Sequence, residues 1–163
     1  MADFAFTIRE IAPVDMEAIF AVRVATWHTP TPKEDMTRMG ITHDAVLAML
    51  RDRTRGWLAE LDGRPIGFTM GHAKTGEMWV IAVLKDFEGH GVGRELMARV
   101  EGWLASEGWS EVWLTTDVDE NDRAVGFYKR LGWTDWKFEH GDRYMRKGVD
   151  LSRIHAVGSR VLT

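Results

Sequence analysis

The chain has 163 residues, enough for one domain with a sizeable core. Hydrophobic residues make up 45%, and 21 basic against 25 acidic side chains leave a net charge of −4 with no block of like charge, which argues against a nucleic-acid or membrane surface. Cysteine is absent, which excludes disulfides, thiolate metal sites and a cysteine nucleophile and suits a reducing compartment.

The opening MADFAFTIRE has no long apolar core, so no secretory leader is expected. Phe4, Phe6 and Ile8 alternate with polar or small neighbours and predict a strand. Pro13 suits a first helical turn, and Met16, Ile19, Phe20, Val24 and Trp27 follow at helical spacing. HTPTPKEDMTRMGIT, with two prolines and turn chemistry, reads as a loop. Thr42 is placed to cap a second helix with Val46, Met49 and Leu50 as its stripe. Asp62-Gly63 then joins two short apolar runs as a tight hairpin requires.

Met78 to Leu84 is the longest apolar run, far short of the roughly 18 residues of a membrane helix. It reads instead as a central strand buried on both faces. A glycine-rich turn leads from it into a long helix with the stripe Val92, Leu96, Val100, Trp103 and Leu104, which Gly108 can end. EVWLTTD alternates as a strand, Arg123 to Leu131 reads as a short helix closed by Gly132, and two weaker strands lie around Trp133 to Phe138 and Arg143 to Arg146. No linker or repeat interrupts the chain, so 1–163 is expected to be one domain with its core at about 4–147 and a tail at 148–163. The order β-α-α-β-β-β-α-β-α-β-β predicts an α/β mixed sheet with helices on both faces.

The turn reads Phe87-Glu88-Gly89-His90-Gly91-Val92-Gly93-Arg94. A strand entering a helix leaves the first helical N–H groups without internal partners, and the helix dipole draws an anion to them. Alternate glycines let a phosphate approach, and Arg94 adds charge. The physical readings are a pyrophosphate site or a ligand-free flexible turn. A dinucleotide fingerprint fails because position 94 is arginine, and a P-loop fails for want of Gly-Lys-Ser/Thr.

The loop resembles the acyl-CoA loop of the GNAT superfamily of N-acetyltransferases, Gln/Arg-x-x-Gly-x-Gly/Ala after a strand like WVIAVL, with Glu88 departing from the usual Gln or Arg. NDRAVGFYKRLGW, Asn121 to Trp133, is similar to that family's Asn-x-x-Ala-x-x-Phe-Tyr-x-x-x-Gly-Phe/Trp segment. The order of elements matches over roughly residues 4 to 147. The resemblance implies the acyl-CoA N-acyltransferase fold: a central, mostly antiparallel sheet splayed between strands 4 and 5. It implies transfer of an acetyl group from acetyl-CoA to a primary amine by direct attack in a ternary complex. The alternatives are a non-catalytic acyl-CoA-binding or sensing module of the same fold, or transfer of another acyl group.

On that resemblance the donor would be held by the backbone of Ile81, Ala82 and Val83, by the loop residues Glu88, Gly89, His90, Gly91, Val92, Gly93 and Arg94, and by Asn121, Ala124, Phe127 and Tyr128. Tyr128 is the expected general acid toward the departing sulfur, and a phenol is a donor at neutral pH. Glu77, opening the fourth strand, is the first choice of base. Asp117, Asp119 and His72 are further candidates, and each of the four is equally read as a solvated strand-end or loop polar group. Trp27, His28 and the TPTPKEDMTRMG segment are expected to line the acceptor pocket, whereas Trp79 and Trp113 read as core. The histidines are scattered with no metal-ligand spacing, so no metal is expected. The acceptor is a small-molecule or peptide amine, and no nucleic acid or membrane partner is expected. Members of such a family often form dimers, for which the exposed end of the sheet offers a place, and the setting is taken as cytoplasmic.

Overall fold

The computed structural model describes residues 4–27 and 32–149. His28 and residues 150–163, most of the tail, lie outside the described residues. Among the described residues, seven strands form one sheet in the order β1-β2-β3-β4-β5-β7-β6. They are β1 (Thr7–Glu10), β2 (Thr54–Leu61), β3 (Arg64–His72), β4 (Glu77–Val83), β5 (Glu111–Thr116), β6 (Thr134–Glu139) and β7 (Asp142–Gly148). The helices are α1 (Met16–Thr26), α2 (Pro32–Arg38), α3 (His43–Leu50), α4 (Val92–Ser106) and α5 (Arg123–Arg130). Every strand pair is antiparallel except β4–β5, which is parallel. This is the mixed sheet that the resemblance implies.

Local chemistry explains most boundaries. Asp62 and Gly63 both have positive φ, 51° and 79°, as the tight β2–β3 hairpin demands. Thr42 accepts from the Ala45 N–H at 3.2 Å and so caps α3, and Asp122 accepts from the Ala124 N–H at 2.8 Å and caps α5. Pro13 opens a short 3-10 turn that runs into α1.

Three expectations need correction. The segment read as a loop holds helix α2: Pro32 takes the first position, Glu34 and Asp35 the first turn and Arg38 the last, a charge order that suits the helix dipole. The first strand starts at Thr7. Phe4 and Phe6 lie before it and pack on the core instead, where Phe4 stacks on His90 with ring centroids 4.1 Å apart. Finally, β4 is not buried on both faces: Met78 and Ala82 are buried, but Trp79, Val80, Ile81 and Val83 are half-buried. The cause is the sheet itself, which leaves them uncovered on the β5 side.

The two faces of the sheet carry separate cores. Trp57 and Ala59 pack with the α4 stripe Val92, Leu96, Val100, Trp103 and Leu104, all buried as expected, whereas their strand neighbour Leu58 packs with Ile19 and Val22 of α1 and Val46 of α3. Alternation along β2 thus divides one strand between two cores. Among the described residues no helix is long and apolar enough to cross a membrane, and no group of three or more metal-ligating side chains gathers.

The loop after β5 is organised by Arg143, whose side chain is 1% exposed. Its guanidinium donates to the Asp135 carboxylate at 2.6 Å and to the Asp117 and Val118 carbonyls at 3.1 and 2.8 Å. Arg143→Met strands those acceptors and is expected to cost about 2–4 kcal/mol in denaturant unfolding. Unchanged stability would show that the loop holds its shape without the guanidinium.

Candidate active site

β4 and β5 meet at one point. Glu77 is the only β4 residue in register with β5, opposite Trp113, and the strands part beyond it. The Leu84 N–H donates to the Ile66 carbonyl at 2.9 Å. Ladder alternation therefore turns the amides of Ala82 toward β3 and those of Ile81 and Val83 into the opening. Of the three β4 residues expected to offer backbone, Ile81 and Val83 are free to do so, while Ala82 is spent on β3.

At the end of the opening stands the glycine loop. Gly89 and Gly91 have φ of 81° and 86°, and a Cβ on either would meet nothing within 4 Å. These two glycines are required by the backbone path, and the space above them is open. Gly91 precedes α4 without a side-chain cap, so the N–H groups of Val92, Gly93 and Arg94 point outward uncapped. Gly93 has a different reason. A Cβ there would lie 3.0 Å from Cζ of Phe127, so Gly93 makes room for α5 rather than for a phosphate. Val92 is buried, and only its backbone is on offer. His90 points away onto Phe4, so it too brings only backbone. Arg94 is exposed and in no ion pair among the described residues. Glu88 is paired with Arg123 at 2.8 Å, which draws its carboxylate toward α5 and balances its charge.

α5 meets the start of α4, where Phe127 approaches Gly93. Ala124 and Phe127 pack on the core, while Asn121 is exposed, its N–H bonded to Asp119 and its side chain uncommitted. Tyr128 is 6% exposed, between Phe127 and Trp133. Burial pushes its phenol well above the ordinary value; the Arg23 charge pulls the other way and Asp122 adds slightly to the rise. The hydroxyl is therefore a proton donor at neutral pH and has no protein partner among the described residues.

On the other side of the sheet a cleft of about 290 Å³ lies between α1, α2, β4 and β5. Trp27, Met36 and Met39 line it, and so does Trp79, which is half-buried and also packs against the core, as its sequence predicts. Trp113, read as core, is half-buried and lies outside both core clusters, stacked on Tyr144 and donating its indole N–H to the Thr75 carbonyl at 2.8 Å. Glu77 reaches the cleft, and burial raises its carboxyl above the ordinary range. His72 stands directly opposite Glu77 on β3, its Nδ1 2.8 Å from the Thr54 hydroxyl, and burial lowers its pKa. Two of the four base candidates are therefore neighbours at the closed end of the opening. The other two are engaged elsewhere: the Asp117 carboxylate accepts from the Asp119 N–H and that of Asp119 from the Asn121 N–H, building the β5–α5 turn.

Arg23 was missed. It lines the same cleft from α1, with its guanidinium 4.2 Å over the Trp27 ring. Its signal was present: a cation inside the apolar helical pattern, four residues before an aromatic.

Comparison with known proteins agrees with this geometry. The model of the acetyltransferase (GNAT) family matches residues 16–133. A mycothiol acetyltransferase of an Arthrobacter species is 33% identical over 134 residues, 75% of this chain and 40% of that protein. The chain thus spans well under half the length of that relative. Among solved structures, the PaiA N-acetyltransferase of Thermoplasma acidophilum in complex with coenzyme A superposes with a TM-score of 0.79 at 18% identity, covering 89% of this chain and 99% of that one. The putative acetyltransferase YncA of Salmonella typhimurium, with acetyl-CoA, gives 0.70 at 20% identity, covering 90% and 95%.

Gly93→Val places a branched side chain against Phe127 and is expected to lower stability by about 1–3 kcal/mol in thermal unfolding. Full stability would mean that α5 can retreat from α4 at no cost.

Proposed function

The chain belongs to the acetyltransferase (GNAT) family, and from that premise we propose that it transfers an acetyl group from acetyl-CoA to a primary amine by direct attack in a ternary complex. The observation that carries this reading is the parted β4–β5 pair ending at uncapped α4 amides. Open space over Gly89 and Gly91 fits a diphosphate, the N–H groups of Val92, Gly93 and Arg94 would bind it, and Glu88 is held off by Arg123. The amides of Ile81 and Val83 would pair with the pantetheine arm, and Asn121 has a free side chain to join them. One β4 N–H would stabilise charge developing on the thioester oxygen.

The acceptor must lose a proton before it attacks. An alkyl ammonium near pKa ~10.4 is uncharged at pH 7 at a cost of roughly 4.6 kcal/mol. Glu77, reaching the cleft with a raised carboxyl pKa, is a stronger base than an ordinary carboxylate and lies where the amine enters. His72 beside it remains neutral near pH 7 because burial lowers its pKa. Tyr128 serves the departing sulfur. A free thiol ionises near pKa ~8.5, well below this buried phenol, so the phenol's contribution is a hydrogen bond to the sulfur as charge builds there.

The relative's name, mycothiol acetyltransferase, supports acetyl transfer; the acceptor is not carried over, since the chain spans 40% of that protein. A small-molecule or peptide amine in a cytoplasmic setting is the proposed context. Calorimetry with acetyl-CoA, followed by thiol release with an amine panel, tests the reading: binding with no release would leave a sensing module of the same fold.

Tyr128→Phe is expected to lower kcat by roughly 10²-fold with donor KM unchanged, measured by thiol release. Glu77 acts as base only when ionised. Because its pKa is raised, activity should fall as pH drops through a value above the usual carboxylate range. Glu77→Gln should remove that acidic limb and lower kcat/KM by ~10²- to 10⁴-fold. A variant that keeps the wild-type limb would release Glu77 from the role.

A further inference from the structure

Arg23 stands half-buried in the wall of the 290 Å³ cleft. Burial pulls its guanidinium below the ordinary value. It forms no ion pair among the described residues. Its one hydrogen bond is a long 3.5 Å contact to the Thr26 hydroxyl, and its face rests on Trp27. A guanidinium has five donors in a planar fork that matches a carboxylate, and a desolvated cation without an anion is costly. The fold places that cost beside Phe20, Met36, Met39 and Trp79, an apolar wall. The same cleft holds one carboxylate, Glu77. The charge of Arg23 also acts on the Tyr128 phenol, drawing its pKa down against the effect of burial.

The cleft thus offers a cation and an anion across an apolar lining. We propose that the acceptor is an amino acid or similar amine with an apolar body, its carboxylate held by Arg23 and its amine presented toward Glu77. This rests on the acetyltransferase reading and specifies its acceptor.

The test pairs acids with their amides. Thiol release is measured with phenylalanine, leucine and methionine and with the corresponding carboxamides, for the wild type, Arg23→Met and Arg23→Lys. In parallel, binding of 3-phenylpropionate and 3-phenylpropionamide, which have no amine to acetylate, is followed by calorimetry in the presence of coenzyme A. For the wild type, acids are expected to exceed amides in kcat/KM by roughly tenfold or more, the scale of a charge-assisted hydrogen bond. That ratio should collapse toward one in Arg23→Met through KM and be partly kept in Arg23→Lys, and 3-phenylpropionate should lose its advantage over the amide in the same order. Equal use of acids and amides by the wild type overturns the proposal while leaving acetyl transfer intact. Acetyl-CoA binding lost in a folded Arg23→Met assigns the guanidinium to the donor and overturns it too. If 3-phenylpropionate binds in an Arg23-dependent way while no amine is acetylated, the anion seat stands and the catalytic reading falls.

Discussion

The structure depends on a parallel strand pair pinned at one end and opened at the other. The pin is made by tryptophans. The Trp113 N–H reaches the Gly76 carbonyl at 3.2 Å, its indole N–H the Thr75 carbonyl, and the Trp109 indole N–H the Ala73 carbonyl at 2.6 Å. All three tie the β3–β4 turn to the region of β5. At the far end α4 begins against Val83 and Phe127, with Gly93 admitting the aromatic ring, and there β4 and β5 are unpaired. Unpaired backbone amides inside a sheet are costly unless something else bonds them. A ligand with alternating amide groups would meet that need.

From this opening the rest of the site follows. The β4 residues whose amides face it are half-buried because no strand covers them, and α5 carries a phenol kept protonated by burial. Arg143 secures the loop that delivers α5, and Glu88 finds its partner on the first residue of that helix. The departure from the usual Gln or Arg at position 88 thus becomes an ion pair between loop and helix, and both members are exposed enough that its energetic worth is small.

Glu77 and Arg23 in the cleft are each moved toward the neutral form by burial, and so is His72 beside Glu77 on β3. Withdrawal of water makes a carboxylate more basic, keeps an imidazole uncharged and leaves a guanidinium in want of an anion.

Much was readable from the chain itself. The Asp62-Gly63 hairpin, the Thr42 cap, the buried stripe of α4 and the order of strands follow from neighbours within a few residues, where propensity and periodicity act. The glycine loop stood out through the helix start that follows it, and the Asn121–Trp133 segment through its resemblance to the family's motif. Helix α2 was hidden because Pro30 and Pro32 read as loop signals in the sequence, although Pro32 occupies the first helical position, which tolerates proline.

By itself the sequence determined most of the elements apart from α2, their order, and which loop ends in uncapped amides, since these are local consequences of backbone chemistry. Only the tertiary structure decided where β4 loses its cover, that Trp113 lies outside the core, that Gly93 serves Phe127, and that Arg23 shares a cleft with Glu77. Those depend on the distance between elements far apart in the chain, and burial, which sets both packing and charge, exists only once they meet.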